Sequence, residues 1–258
     1  MKIKFLPFCF LTIAFAFYAC KKDAVPVLKG DIKGIVSIFD GYGYSLQDRS
    51  KVKVQLSSDK LFLEDSTDTN GQYSFKDIPF GNYRINLIRE NYIESILDFR
   101  LSHVGGEAPT ITSQTMYEIP EYKYAIDSLT YNGSSRLLFY LKAIDATKSF
   151  SQGAYFYVHF FFSQSPDVSS ENYDNSFVTF SFKGAGNNIF NGDWWWWDVS
   201  YNFLKTYSGP IYCRVYPQVP YHEMWPEYDL GPWSVVKESL GKPSEVLSFT
   251  LDKITRNF

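Results

Sequence analysis

Apolar and polar residues alternate in short runs along most of the chain, with a period of two rather than the three to four of a helix. Val52, Val54 and Leu56 alternate with Lys53, Gln55 and Ser57, which predicts a strand with one dry and one wet face. Tyr83, Ile85 and Leu87 do the same against Arg84 and Asn86. Tyr73 with Phe75 marks a strand before them, and Ile32, Gly34 and Val36 begin the first. Two turn signals separate these runs. Asn70-Gly71 is expected to supply the positive φ angles of a tight hairpin, and Gly81 to relieve a turn at Pro79-Phe80-Gly81-Asn82.

Near Pro120 the turn grammar changes. Strands are expected over 136–144, 154–163, 177–182, 212–216 and 246–252, with Leu247, Phe249 and Leu251 of the last facing inward. The run from Ala154 is different. Phe156, Val158, Phe160 and Phe162 make one apolar face, and Tyr155, Tyr157, His159 and Phe161 the other. A strand this apolar on both sides lies centrally, or has one face covered by something other than water. Two layers of sheet are the simplest arrangement. The expected fold class is all-β, as two β-sandwich domains over 30–119 and 120–258.

The N-terminus follows another rule. Lys2 and Lys4 precede an apolar stretch from Phe5 to Ala19, interrupted by Pro7 and Thr12. Its 15 residues are too few for a hydrocarbon core, which takes about 20. A basic start followed by a short apolar run is a secretory signal, so residues 1–19 are set apart from the fold. The segment ends at Phe17-Tyr18-Ala19-Cys20, which resembles the lipobox of bacterial lipoproteins, although Phe17 stands where that family prefers Leu and Tyr18 is bulkier than usual. The resemblance implies that Cys20 is acylated and becomes the new N-terminus, held on the outer membrane at its periplasmic or extracellular face. Each buried methylene adds about 0.8 kcal/mol to such an anchor. Residues 20–29 are a linker. Cys9 leaves with the signal, so Cys213 is the one cysteine left for the folded part. No internal disulfide is then available, and Cys213, in an apolar strand, is expected to be a buried and inert thiol.

Composition narrows the function classes. The 239 residues from Cys20 suffice for two domains, and loss of Lys2 and Lys4 takes the formal net charge from −3 to −5. No basic patch stands out to neutralise phosphates, so nucleic acid is not an expected partner. Aromatic residues are 19% of the chain, which favours strands.

A second resemblance covers about a third of the chain. Thr67-Asp68-Thr69-Asn70-Gly71-Gln72-Tyr73-Ser74-Phe75, followed by Ile78-Pro79-Phe80-Gly81-Asn82-Tyr83-Arg84-Ile85, resembles the motifs of the carboxypeptidase-regulatory-like domain. Gly34-Ile35-Val36 matches the usual opening strand of that family, and Asn91-Tyr92 stands where it often has Gly-Tyr. The resemblance implies a seven-stranded, transthyretin-like sandwich serving as a spacer, stabiliser or binding module. Fold alone does not assign a function. His103, Asp65 and Asp68 are its candidate polar groups. The histidine is expected at the surface of a loop, the aspartates at a solvent-facing turn, and no second histidine stands at metal-ligand spacing.

The candidate binding chemistry lies in the second domain. Trp194-Trp195-Trp196-Trp197 is flanked by Asp193 and Asp198. If the run is extended, alternate indoles point to opposite faces, and one pair must be covered or exposed. A Pro-rich segment follows with Tyr221, Trp225 and Trp233, beside His222 and Glu223. Two readings stay open: the segment folds over the tryptophans as packing, or it makes a platform on which sugar rings stack while the carboxylates hydrogen-bond hydroxyls. No G-x-S-x-G, H-E-x-x-H or phosphate loop is present, and His222-Glu223 runs into Met-Trp-Pro, which breaks the zinc-protease spacing. No catalytic residue, metal site or cofactor is expected. The partners foreseen are the membrane, a glycan ligand and an outer-membrane protein. The alternative is a structural subunit of a surface fibre, because anchored pilins of Gram-negative bacteria also resemble tandem transthyretin-like sandwiches behind a lipobox. Residues 21–29 carry no arginine-marked protease site of the pilin kind.

Overall fold

The computed structural model describes residues 28–94, 99–131, 137–151, 155–182, 204–219 and 239–253. Every strand in it belongs to one of four sheets, and the fold is all-β. The first sandwich is built from β1 (Lys29–Phe39), β2 (Lys53–Ser58), β3 (Leu61–Ser66), β4 (Gln72–Pro79), β5 (Gly81–Ile88), β6 (Tyr92–Glu94), β7 (Phe99–His103) and β8 (Thr110–Glu118). One sheet has the order β4-β1-β8-β6 and the other β3-β2-β5-β7. The three-residue β6 makes eight strands where the family resemblance implied seven.

The alternation seen in the sequence is what fills this sandwich. Val52, Val54, Leu56, Ile85 and Leu87 face Ile32, Val36, Ile38 and Phe75 across the layers. The Asn70-Gly71 turn is not the expected hairpin: β3 and β4 belong to different sheets, and the chain crosses between layers there. Of the two residues only Gly71 has positive φ, at 82°. The turn closes with Gly71 N–H donating to the Asp68 carbonyl at 2.9 Å. A side chain at Gly71 would meet the Val36 carbonyl oxygen at 2.3 Å, so the crossing needs glycine twice over. Asp68 caps the turn through the amides of Asn70 and Gln72, and Asp65 accepts from Ser74 N–H across to β4. Asp68 is therefore a turn residue, as expected, whereas Asp65 lies within β3 and not in the turn.

β8 was not foreseen, and the reason is visible. Its outward residue Ile111 is 69% exposed while Thr112 and Gln114 point into the core, which inverts the usual pattern. Tyr73 lies across Gly34 to reach them. Its hydroxyl lies 2.6 Å from Thr112 Oγ1 and donates to Gln114 Oε1 at 2.7 Å. Only the absence of a side chain at Gly34 permits this, since a Cβ there would sit 2.1 Å from the Tyr73 ring. Burial holds the Tyr73 phenol up at about 12. In the same core Glu94 accepts the Leu87 N–H at 2.8 Å through Oε1. Its Oε2 and Gln114 Nε2 have no hydrogen-bond partner among the described residues. Burial raises the Glu94 carboxyl to about 7, which lets it remain neutral in a weakly acidic medium.

The second sandwich sets a two-stranded sheet, β9 (Lys123–Tyr131) with β10 (Leu137–Ile144), over a four-stranded one. The latter runs β12 (Asn175–Phe182), β11 (Tyr155–Ser163), β13 (Ile211–Gln218), β14 (Leu247–Phe249). The two-faced apolar strand β11 is central. Val158, Phe160 and Phe162 enter the main core with Phe139, Tyr122 and Tyr124. Phe161 and His159 occupy the opposite face, and Phe161 is sealed there by Val168 and Tyr216. Both conditions for a strand apolar on two faces are thus met. The final strand is shorter than foreseen and ends in a 3-10 turn at Leu251–Lys253, but Leu247, Phe249 and Leu251 pack against the core as expected. Cys213 is fully buried, and burial pushes its thiol pKa up, which makes it inert.

The two cores are fastened by the loop after β1. Asp40 accepts from the amides of Tyr42 and Tyr44. This fold of the loop projects the Tyr42 ring into the second core, 5.4 Å from both Tyr122 and Phe150. Thr147 N–H donates to the Tyr42 hydroxyl at 2.9 Å, and Ser151 N–H to its carbonyl at 2.9 Å. Lys148 Nζ meets Asp40 Oδ2 at 2.5 Å and lies over the Tyr42 and Tyr44 rings. Glu118 accepts from Gly41 N–H at 2.9 Å.

Candidate functional site

Asp193, Trp194, Trp195, Trp196, Trp197, Asp198, Tyr221, His222, Glu223, Trp225 and Trp233 lie outside the described residues, as does Cys20. His103 corrects the expectation placed on it. It is buried at the end of β7, not exposed in a loop, with Nδ1 2.6 Å from Thr110 Oγ1 and Nε2 3.1 Å from the Ile78 carbonyl. Both ring nitrogens are satisfied, so it is a structural histidine. Among the described residues no group of three or more His, Cys, Asp or Glu side chains could hold a metal ion.

Two openings remain as candidate sites. The first is a polar cleft at one end of the second sandwich, where the 164–174 connection from β11 to β12 meets the segment before β13. Ser163, Gln164, Asn172, Asp174, Thr206 and Tyr207 line it. The connection is pinned rather than loose. Gln164 N–H donates to Asp174 Oδ2 at 2.8 Å and Gln164 Nε2 to the Ser208 carbonyl at 3.2 Å. Asn172 Nδ2 donates to Asp167 Oδ2 at 2.7 Å, and Ser165 Oγ to Asp167 Oδ1. The Tyr207 phenol is held protonated by burial and by the adjacent Asp174 carboxylate. Tyr173, between Asn172 and Asp174, is exposed and sets its ring 5.0 Å from Phe161. The cleft thus combines hydroxyls, amides and one carboxylate on a fixed backbone. Such a set exchanges hydrogen bonds with neutral polyhydroxyl ligands.

The second opening is a groove of 790 Å³ on the outer side of the first sandwich. The two-residue tip of the β2–β3 hairpin, Asp59-Lys60, forms one wall, and the Pro79–Gly81 turn the other. Ser57, Arg84 and Arg100 lie side by side across β2, β5 and β7 between them. Phe80 stands 60% exposed on its turn. That turn is braced by Tyr83, whose hydroxyl donates to the Pro79 carbonyl at 2.7 Å, and by Phe80 N–H donating to the Leu28 carbonyl. Sequence reading passed over both openings. Their residues are ordinary loop and strand-surface types: strand register assembles the groove, and long-range hydrogen bonds of the 164–174 connection assemble the cleft.

No protein-family model and no curated protein sequence matches the chain. Solved structures do. A DUF3823 family protein from Parabacteroides merdae is 14% identical over 74% of this chain and 91% of its own, with a TM-score of 0.28. One from Bacteroides uniformis is 13% identical over 86% and 98%, with a TM-score of 0.27. The minor pilin GBS52 of Streptococcus agalactiae is 13% identical over 36% and 46%, with a TM-score of 0.30. Likenesses this low carry no functional argument.

Proposed function

We propose that this is a non-catalytic binding module, lipid-anchored through Cys20 on the outer membrane, that captures glycans. Its first sandwich, carboxypeptidase-regulatory-like in its motifs, serves as the membrane-proximal half. The observation that supports glycan capture is the cleft of Ser163, Gln164, Asn172 and Asp174 beside Tyr207: fixed donors and acceptors suited to sugar hydroxyls. A structural role in a surface fibre is the second reading, and the Tyr42 and Lys148 fastening between sandwiches favours it, since a fibre subunit must resist bending at such a junction.

Soluble residues 21–258 presented with a glycan array should bind a defined subset of sugars. Asn172→Ala and Asp174→Ala should each weaken that binding about tenfold, with melting temperatures within a few degrees of the parent. An array with no bound glycan, or cleft variants that bind as the parent does, would count against the reading. The anchor has its own test: Cys20→Ala should move the protein from the membrane to the soluble fraction, and an unchanged membrane association would refute lipidation.

A further inference from the structure

Large apolar side chains in water are ordinary when scattered and informative when they converge. Leu28, Phe80 and Val104 are 62%, 60% and 73% exposed, and the fold gathers them at one end of the first sandwich. Leu28 precedes β1, Phe80 stands between β4 and β5, and Val104 follows β7. The Phe80 N–H donates to the Leu28 carbonyl at 2.9 Å. Gly81, next to Phe80, is the register partner of His103, next to Val104. The Gly106 N–H closes the set by donating to the Lys29 carbonyl at 2.9 Å, and the Tyr83 hydroxyl braces the Phe80 turn through the Pro79 carbonyl. The three side chains therefore project from a hydrogen-bonded backbone. Phe62, level with Arg84, and Ile111, level with Lys33, are also exposed, about 10 Å further up the outer faces of the two sheets.

The two ends of this sandwich have different neighbours. At the far end β1 stops at Phe39, and the loop that follows carries Tyr42 into the second core. At the apolar end the chain arrives from the N-terminus. Leu28 stands eight positions after Cys20, a reach of at most about 28 Å. A lipid on Cys20 holds the apolar tip within that distance of a bilayer. Two exposed cations, Lys29 and Lys60, and two exposed carboxylates, Asp59 and Glu107, border the tip, so its attraction to a membrane is apolar rather than charge-led. Three such side chains are too few to hold a protein on a membrane alone; beside an acyl anchor they need only select an orientation. We propose that the tip of Leu28, Phe80 and Val104 rests in the bilayer interface, which stands the first sandwich upright and turns the second away from the membrane. The inference rests on acylation of Cys20, part of the proposed function, and adds the surface that meets the lipid.

The test uses the mature lipidated chain in phosphatidylcholine vesicles that contain a nitroxide-labelled lipid. Cys213 is buried and Cys20 carries the acyl group, so an NBD fluorophore reacts with one introduced thiol. Placed at Val104→Cys, the fluorophore should be quenched about twofold or more beyond the same label at Ile88→Cys, at the far end of β5. Leu28→Ser with Phe80→Ser should bring the Val104 signal down to the Ile88 level while the protein stays in the membrane fraction. Circular dichroism melts of these exposed substitutions should match the parent, so a lost signal is not misread unfolding. Equal quenching at the two positions would overturn the proposal, as would quenching at Val104 that survives the double substitution. A concentration-dependent dimer of residues 21–258 that the double substitution dissociates would assign the tip to a second copy and also overturn it. Absence of an acyl mass on Cys20 would sink the anchor and this inference together; an acylated chain with Val104 unquenched would sink the inference alone.

Discussion

The two sandwiches solve the same packing problem with different materials. The first fills its interior with aliphatic side chains on regularly alternating strands, and admits one polar seam of Tyr73, Thr112, Gln114 and Glu94. The second is built largely of rings. Phe139 lies 4.9 Å from Phe160, Tyr122 lies 5.0 Å from Phe150, and Phe160 stacks on Phe162. Rings fill volume quickly but tile poorly, and the second core is completed by Tyr42, a residue carried on the first sandwich. The lesson is one of dependence. The first core closes with its own residues, whereas the second relies on a loop of its neighbour.

Tyr42→Ala should therefore break the comparison most strongly. It removes a buried ring together with the acceptor for Thr147 N–H, and should cost about 3–5 kcal/mol, the range for large aromatic truncations. The loss should fall on the second sandwich. In hydrogen exchange, amides of β11 and β13 should lose protection while those of β2 and β5 keep theirs. Equal loss in both halves would show one shared core. Lys148, by contrast, is a weak part of the fastening. Its ammonium is drawn up in pKa by the Asp40 carboxylate, but the side chain is 47% exposed and solvent screens the pair.

The polar groups buried in the two cores make them respond oppositely to pH. Glu94 has its pKa raised by burial from 4.5 to about 7, so the folded state holds a proton that the unfolded chain gives up. Its contribution is complete below pH 4.5 and is lost as pH rises towards 7, by roughly 3 kcal/mol at most. His159 has its pKa lowered by burial from 6.5 to about 4. Its stacked ring meets Gln218 Oε1 through Nδ1, and the Gln218 amide donates to Ser239, so the neutral ring carries its proton on Nδ1. The contribution of His159 is complete above pH 6.5 and fades as pH falls towards 4, with a similar upper bound. Denaturant titrations across this range should show Glu94→Gln removing the first slope and His159→Phe the second. If either variant follows the pH profile of its parent, the corresponding group is not buried in the protonation state described.

The period-two runs at Val52–Leu56 and Tyr83–Leu87 and the doubly apolar run at 154–163 pointed to the all-β class, and left two places for the last: central, or covered on one face. Those are local properties: alternation dictates which face is dry, and a strand dry on both faces has few places to go. The inverted strand Thr110–Glu118 escaped notice, because its buried Thr112 and Gln114 make sense only beside Tyr73, thirty-nine and forty-one residues away. His103 was misplaced for the same reason, since Thr110 and Ile78 satisfy it from other strands. The sandwich crossing at Asn70-Gly71, the seat of Tyr42 in a foreign core, and the pairing of Arg84 with Arg100 likewise depend on which strands become neighbours. A sequence states the preference of each residue for water or for a face. The register between distant strands is settled only when all the faces are buried at once, and that register aligned Ser57, Arg84 and Arg100 across the groove.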